Sequence, residues 1–198
     1  MDHSPDVLLE QQNALQEEAE SVVTDLGLDD RLGEIGRPVR VGSAALGLMV
    51  WRDLDITVVC ETLKLAAVVE LGGQLALHPR TRRVEFRDDT GTWNTDPGYP
   101  DGLYLGLGYR SAAGDDWKLD VWFVDDPDRQ PDLAHLRTLP PKLDRGARLA
   151  ILRIKTAWYA RPEYGRSVRS FDIYTAVLDA GVRTPEQFND WIAALPSS

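Results

Sequence analysis

Apolar residues recur at Leu8, Leu15, Ala19, Val22 and Leu26, at helical spacing, before Gly27 interrupts the run. This is the stripe of an amphipathic helix, with Ser4 as its cap and Pro5 at the first position, where a fixed φ helps and a missing N–H costs nothing. Beyond Gly27 the pattern shortens. Residues 39–41 and 54–60 read as strands, and a helix over 62–71 is expected to end at Gly72-Gly73. Runs of β-branched and aromatic residues predict further strands over 83–87, 103–109 and 118–124. Residues 88–102, rich in Asp, Gly and Pro and holding Trp93 and Tyr99, read as a long loop of the kind that often carries function. Helices succeed it over 145–160, 167–180 and 185–195, the last started by a Thr184 cap, Pro185 and a Gln187 that completes a capping box. The expected fold class is α/β: a small mixed sheet flanked by helices, with a C-terminal helical cluster closing one side of a cleft. The expected organisation is an acidic N-terminal helix over 1–30, a core over 31–144 and a helical region over 145–198 packed with it as one compact unit.

Composition narrows the classes. Cys60 is the one cysteine, so no disulfide forms within the chain and no zinc framework exists; His3, His78 and His135 are too scattered for a metal motif. No apolar run approaches the roughly 18 residues that span a bilayer. The start MDHSPD lacks the basic, apolar pattern of a secretory signal, so a cytoplasmic protein without a membrane partner is expected. The net charge of −10 argues against nucleic acid only until its distribution is seen. Residues 1–30 hold nine acids and no Lys or Arg, while the other 168 residues carry 23 acids against 22 bases. The acidic helix suits solubility or a basic partner. Within the remainder, residues 145–169 form a block of net charge +6, the kind of surface that holds polyphosphate.

The chemistry concentrates in GSAALGLMVWRDLDI, residues 42–56. Asp53 and Asp55 are two apart, so on a strand both carboxylates project to one side while Leu54 and Ile56 face the core. Two such groups repel unless a cation lies between them, and hard oxygen ligands suit Mg²⁺. Ahead of them a short apolar strand, the Gly42-Ser43 turn and a helix start make an anion site: Gly42 admits a phosphate to the backbone, Ser43 offers a hydroxyl and free N–H groups point at the anion.

These residues resemble the DNA polymerase beta-like nucleotidyltransferases, whose members carry Gly-Ser, a spacer of this length and two acids separated by one apolar residue. The resemblance implies a nucleotidyltransferase core and a third carboxylate on a later strand, completing a triad for two Mg²⁺ ions. Asp120 in WKLDVWFVD fits best, since a carboxylate amid Leu119, Val121 and Trp122 is costly to bury without a partner. Asp125, Asp126 and Asp128 come next in an acidic, Pro-containing turn, where solvated carboxylates are the default. The implied roles are metal ligation and catalysis for Asp53, Asp55 and Asp120, and nucleotide binding for Gly42 and Ser43.

The segment IKTAWYARPEYGRSVRSFDIYTAVLDAGV resembles the helical tail of the abortive-infection nucleotidyltransferase toxins, in which a Lys, an Arg six residues on and a later Asp recur. The matching positions are Lys155, Arg161 and Asp172. The resemblance implies that Lys155 helps hold the triphosphate; Arg52, Arg161 and Asp172 are accessory candidates. On a helix Lys155 shares a face with Arg148, opposite an apolar face of Ile151, Ile154 and Trp158, so it is expected to look across the cleft. The pair expected before the second helix reads Arg169-Ser170, and Pro162 interrupts the segment.

The activity implied by the resemblance is transfer of a nucleoside monophosphate from an NTP to an acceptor hydroxyl on a small molecule, RNA or protein. Three readings remain: a small-molecule enzyme like the antibiotic-modifying members, a toxin-like enzyme with a cognate antitoxin, and a catalytically silent protein that binds a nucleotide or a partner. Retention of three candidate carboxylates favours catalysis over the third.

Overall fold

A computed structural model describes residues 4–195, so His3 lies outside the described residues. The chain divides into two compact units, one of residues 16–47 and 52–137 and the other of residues 4–15, 48–51 and 138–195. The first helix, α1 (Pro5–Leu26), contributes to both. Gly27, at φ 58°, ends it and opens the short α2 (Leu28–Gly33), which the hydrophobic pattern did not reveal.

The first unit is built on five strands: β1 (Arg37–Arg40), β2 (Asp53–Val59), β3 (Thr81–Asp89), β4 (Gly102–Arg110) and β5 (Asp116–Val124). Their order is β1-β2-β5-β4-β3, with β2 and β5 parallel and every other pair antiparallel. This is the mixed sheet expected from the sequence. Along β2 and β5 one face is apolar and buried, with Leu54, Ile56, Val58, Leu119, Val121 and Phe123, whereas Asp53, Asp55 and Asp120 lie on the other face. One helix precedes β2 and another succeeds it: α3 (Gly42–Leu46) and α4 (Leu65–Ala76).

Helix α4 begins three residues later than expected and runs straight through Gly72-Gly73. Each interior glycine weakens a helix by about 1 kcal/mol, but burial of Val68, Leu71 and Leu75 offsets that, and the missing side chain has a use. A Cβ on Gly72 would lie 3.0 Å from Leu105 Cδ1, so the glycine sets how closely the helix approaches β4. The second half of α1 is tied to the sheet by Asp25, which accepts from the Tyr109 hydroxyl at 2.5 Å and pairs with Arg80 at 2.8 Å. After β3 the expected loop contains one short 3-10 turn, Gly91–Trp93, closed by Asp101, which accepts from Gly91 N and Asn94 Nδ2. A helix that the hydrophobic pattern also left unmarked, α5 (Pro131–Thr138), comes after β5.

The second unit gathers α6 (Arg145–Trp158), α7 (Ser170–Leu178) and α8 (Pro185–Ala193). Asp144 caps α6 by accepting from Ala147 N at 2.7 Å. Thr184 caps α8 as expected, although Gln187 reaches back to Arg183 N rather than to the cap itself. Trp158 meets Phe188 edge-on at 5.2 Å and donates to Asn189 Oδ1, which locks α6 to α8. Among the described residues no helix is long and apolar enough to cross a membrane.

Candidate active site

The parallel pairing of β2 with β5 places Asp55 directly opposite Asp120 and Asp53 opposite Lys118. One carboxylate oxygen from each of Asp53, Asp55 and Asp120 lies within 4.8 Å of the others. The three acids proposed from the sequence are thus brought together on one sheet face. Crowding has a cost that falls on Asp55: loss of solvent, and then the charges of Asp53 and Asp120, push its carboxyl well above the usual carboxylate range, with Lys118 only partly opposing them. Three hard oxygen donors of like charge, one of them resisting ionisation, fit a divalent cation of the Mg²⁺ type.

Gly42 is what lets Asp55 occupy this position. It is the first residue of α3, at φ 60°, and a Cβ there would come within 3.0 Å of Asp55 Cγ and closer still to Oδ2. Ser43, next to it, is 6% exposed. The Gly-Ser element and the acidic strand therefore meet at the Asp55 carboxylate.

Three participants were not singled out from the sequence. Lys118 precedes Asp120 by two residues and shares its face; its Nζ lies 2.5 Å from Asp120 Oδ2 and 3.8 Å from Asp53 Oδ1. Although burial pulls the Lys118 pKa down, the adjacent carboxylates outweigh it and the ammonium titrates above its usual value. Tyr104, 8% exposed on β4, donates its hydroxyl to Asp120 Oδ1 at 2.6 Å. Desolvation and that hydrogen bond raise its pKa, so it stays a donor. Gly106, opposite Asp120 in the register, makes room for it: a Cβ there would lie 2.5 Å from the Tyr104 hydroxyl. The Tyr104 ring packs on Trp122 at 5.0 Å, and the Arg87 guanidinium lies over both rings at 4.7 and 5.2 Å. A lysine two positions from an acid on a strand was a readable signal. Tyr104 and Gly106 depend on strand pairing, which no local pattern shows.

The remaining candidates have other partners. Arg52 holds Glu18 at 2.8 Å and Asp115 at 3.3 Å. Lys155 does not sit on a solvated face with Arg148. It is 0% exposed, and its Nζ donates to the Leu48 carbonyl at 2.6 Å and to the Tyr174 hydroxyl at 3.5 Å. Ile151, Ile154 and Trp158 are buried as expected, and Lys155 joins them because the backbone of residues 48–51 supplies the acceptor its ammonium needs. Arg161 lies over the Trp158 ring at 4.2 Å and donates to Asn189 Oδ1. Asp172 accepts from Arg169 N at 2.6 Å, capping the start of its own helix. Asp125, Asp126 and Asp128 are grouped around a 3-10 turn, Pro127–Arg129, as the acidic composition suggested.

No protein-family model and no curated protein matches the chain. Solved structures do. A Cid1 poly(U) polymerase bound to MgATP aligns with a TM-score of 0.61 at 15% identity, over 88% of this chain and 54% of that one. A cytoplasmic RNA terminal U-transferase aligns at 0.50 and 16% identity, over 76% and 44%. The chain has a nucleotidyltransferase fold. It spans about half the length of these structures. The fold that the Gly-Ser and Asp-x-Asp motif suggested is the one observed, and in this nucleotidyltransferase fold the carboxylates lie on adjacent parallel strands.

Proposed function

We propose that the protein is a nucleotidyltransferase that moves a nucleoside monophosphate from an NTP to an acceptor hydroxyl and releases pyrophosphate. The observation that carries this reading is the convergence of Asp53, Asp55 and Asp120 within 4.8 Å, with the Gly42 turn against Asp55. Asp53 and Asp55 would hold one Mg²⁺, and Asp120 would share a second with them. Bound there, such ions lower the pKa of an acceptor hydroxyl and neutralise charge at the reacting phosphate.

The chain's own groups divide the remaining work. Gly42 and Ser43 receive phosphate oxygens at the start of α3. Asp120 has Oδ1 fixed by Tyr104 and Oδ2 paired with Lys118; with the lysine turned aside, Oδ2 would face the acceptor and accept its proton. The acceptor oxygen forms a bond to the α-phosphorus, the bond from that phosphorus to the bridging oxygen breaks, and the electron pair leaves with pyrophosphate. Resemblance to a structure solved with MgATP supports the donor class.

The test is incubation with each labelled NTP and Mg²⁺, alone and with RNA, aminoglycoside or protein acceptors, while pyrophosphate and label transfer are monitored. Transfer from one NTP that EDTA abolishes is the expected result. Tight NTP binding without pyrophosphate release under any condition would replace catalysis by a nucleotide-binding role.

A further inference from the structure

The two oxygens of Asp120 are held in unequal ways. Oδ1 accepts from Tyr104, which is 8% exposed, wedged over Gly106 and packed on Trp122. Oδ2 accepts from Lys118, whose side chain is 54% exposed and ends a flexible four-carbon stem. Moving Tyr104 means repacking the sheet face. Moving Lys118 needs only rotation of its stem into water.

The Lys118 ammonium also stands where a divalent ion would find its ligands, between Asp120 Oδ2 at 2.5 Å and Asp53 Oδ1 at 3.8 Å. An ammonium and a divalent cation cannot share the same two oxygens, since each needs their lone pairs and their like charges repel. We propose that Lys118 is a resident counter-cation that neutralises the carboxylate cluster in the metal-free protein and swings out to solvent when a divalent ion binds. This rests on the metal role proposed for Asp53, Asp55 and Asp120. Lys118 thereby sets the metal concentration at which the site fills, and it spares the empty site the repulsion of three unscreened carboxylates.

Two measurements without nucleotide test this. Manganese titration read by electron paramagnetic resonance compares wild type with Lys118→Met, which keeps the apolar stem; the variant is expected to bind at least about tenfold more tightly, equivalent to about 1.4 kcal/mol. Melting in EDTA should show the variant less stable than wild type, and Mg²⁺ should close that gap. Should the variant fold poorly, amine-reactive labelling of wild-type protein read by mass spectrometry serves instead: Mg²⁺ should raise modification of Lys118 severalfold. Equal or weaker manganese affinity in Lys118→Met, or unchanged or reduced labelling of Lys118 with Mg²⁺, overturns the exchange while leaving a wild-type metal site intact. Absence of manganese binding in both proteins overturns the metal role of the carboxylates and the exchange with it.

Discussion

Gly42 and Asp55 occupy space that only one side chain can fill: a Cβ at Gly42 would lie 3.0 Å from Asp55 Cγ and nearer still to its Oδ2. The turn that heads α3 and the acidic strand are thus one construction. Gly42→Ala meets two penalties, the left-handed φ of 60° and the displaced carboxylate. The first costs roughly 1–2 kcal/mol of stability. The second, a shift of the order of 1 Å in the carboxylate proposed to hold the metal, is expected to lower turnover about 10²-fold. Thermal melts beside manganese titration check both: a folded protein with weakened metal binding is expected, and unaltered metal affinity would separate the glycine from the site.

Tyr104 is expected to position Asp120 without touching substrate. Tyr104→Phe keeps the ring on Trp122 but removes the donor to Oδ1, freeing the carboxylate to rotate. Steady-state kinetics should show kcat reduced about tenfold or more, with KM for the NTP little changed, as befits an interaction that matters at the reacting centre. Gly106→Ala reaches the same end from the opposite direction, because its Cβ would stand 2.5 Å from the Tyr104 hydroxyl. Full turnover in both variants would remove Tyr104 from the site.

The carboxylate half of the site was legible because its information is local. Asp53 and Asp55 obey a period of two, and Asp120 sits in the strongest strand of the second half, so a single alternation rule puts each on a polar face. Partners that depend on pairing were not legible: Tyr104 meets Asp120 only because β4 pairs with β5 in one register, and nothing near Tyr104 in sequence signals it. Lys155 shows the opposite limit. Helical spacing puts Lys155, four residues after Ile151 and three before Trp158, on the apolar face of α6; its charge argued for solvent, and nothing local shows that the Leu48 carbonyl meets it there. The glycine pair in α4 misled for a related reason, since the packing of Gly72 on Leu105 comes from a distant strand.

For Lys155 the burial changes what mutation should do. Lys155→Ala removes the donor to the Leu48 carbonyl and empties the volume of a fully buried stem. An unsatisfied carbonyl and a cavity together should cost about 2–4 kcal/mol. Urea denaturation checks this by a lowered midpoint; an unchanged midpoint would mean that the ammonium contributes nothing to folding of its unit.

Acid should loosen α1 from the sheet through Asp25. The Tyr109 hydroxyl, and after it Arg80, hold this carboxyl below its ordinary value of 3.8, so the folded state favours the ionised form. The stabilisation is present in full above that value and disappears as pH falls through the lower, folded-state value. Asp25→Asn should therefore be less stable than wild type at pH 7, by about 1 kcal/mol for a pair partly open to solvent. The gap should narrow in melts below about pH 3.5. A gap that stays constant across this range would mean that Asp25 ionisation is not coupled to folding.

The most direct measurement of the site is pyrophosphate release with NTP and Mg²⁺ by wild type and by Asp55→Asn, the carboxylate shared by the Gly42 turn and the acidic cluster. Wild type is expected to turn over, and the variant, still folded by circular dichroism, to be slower by about 10² to 10³. Equal release by the two proteins would contradict a catalytic metal site built on Asp53, Asp55 and Asp120.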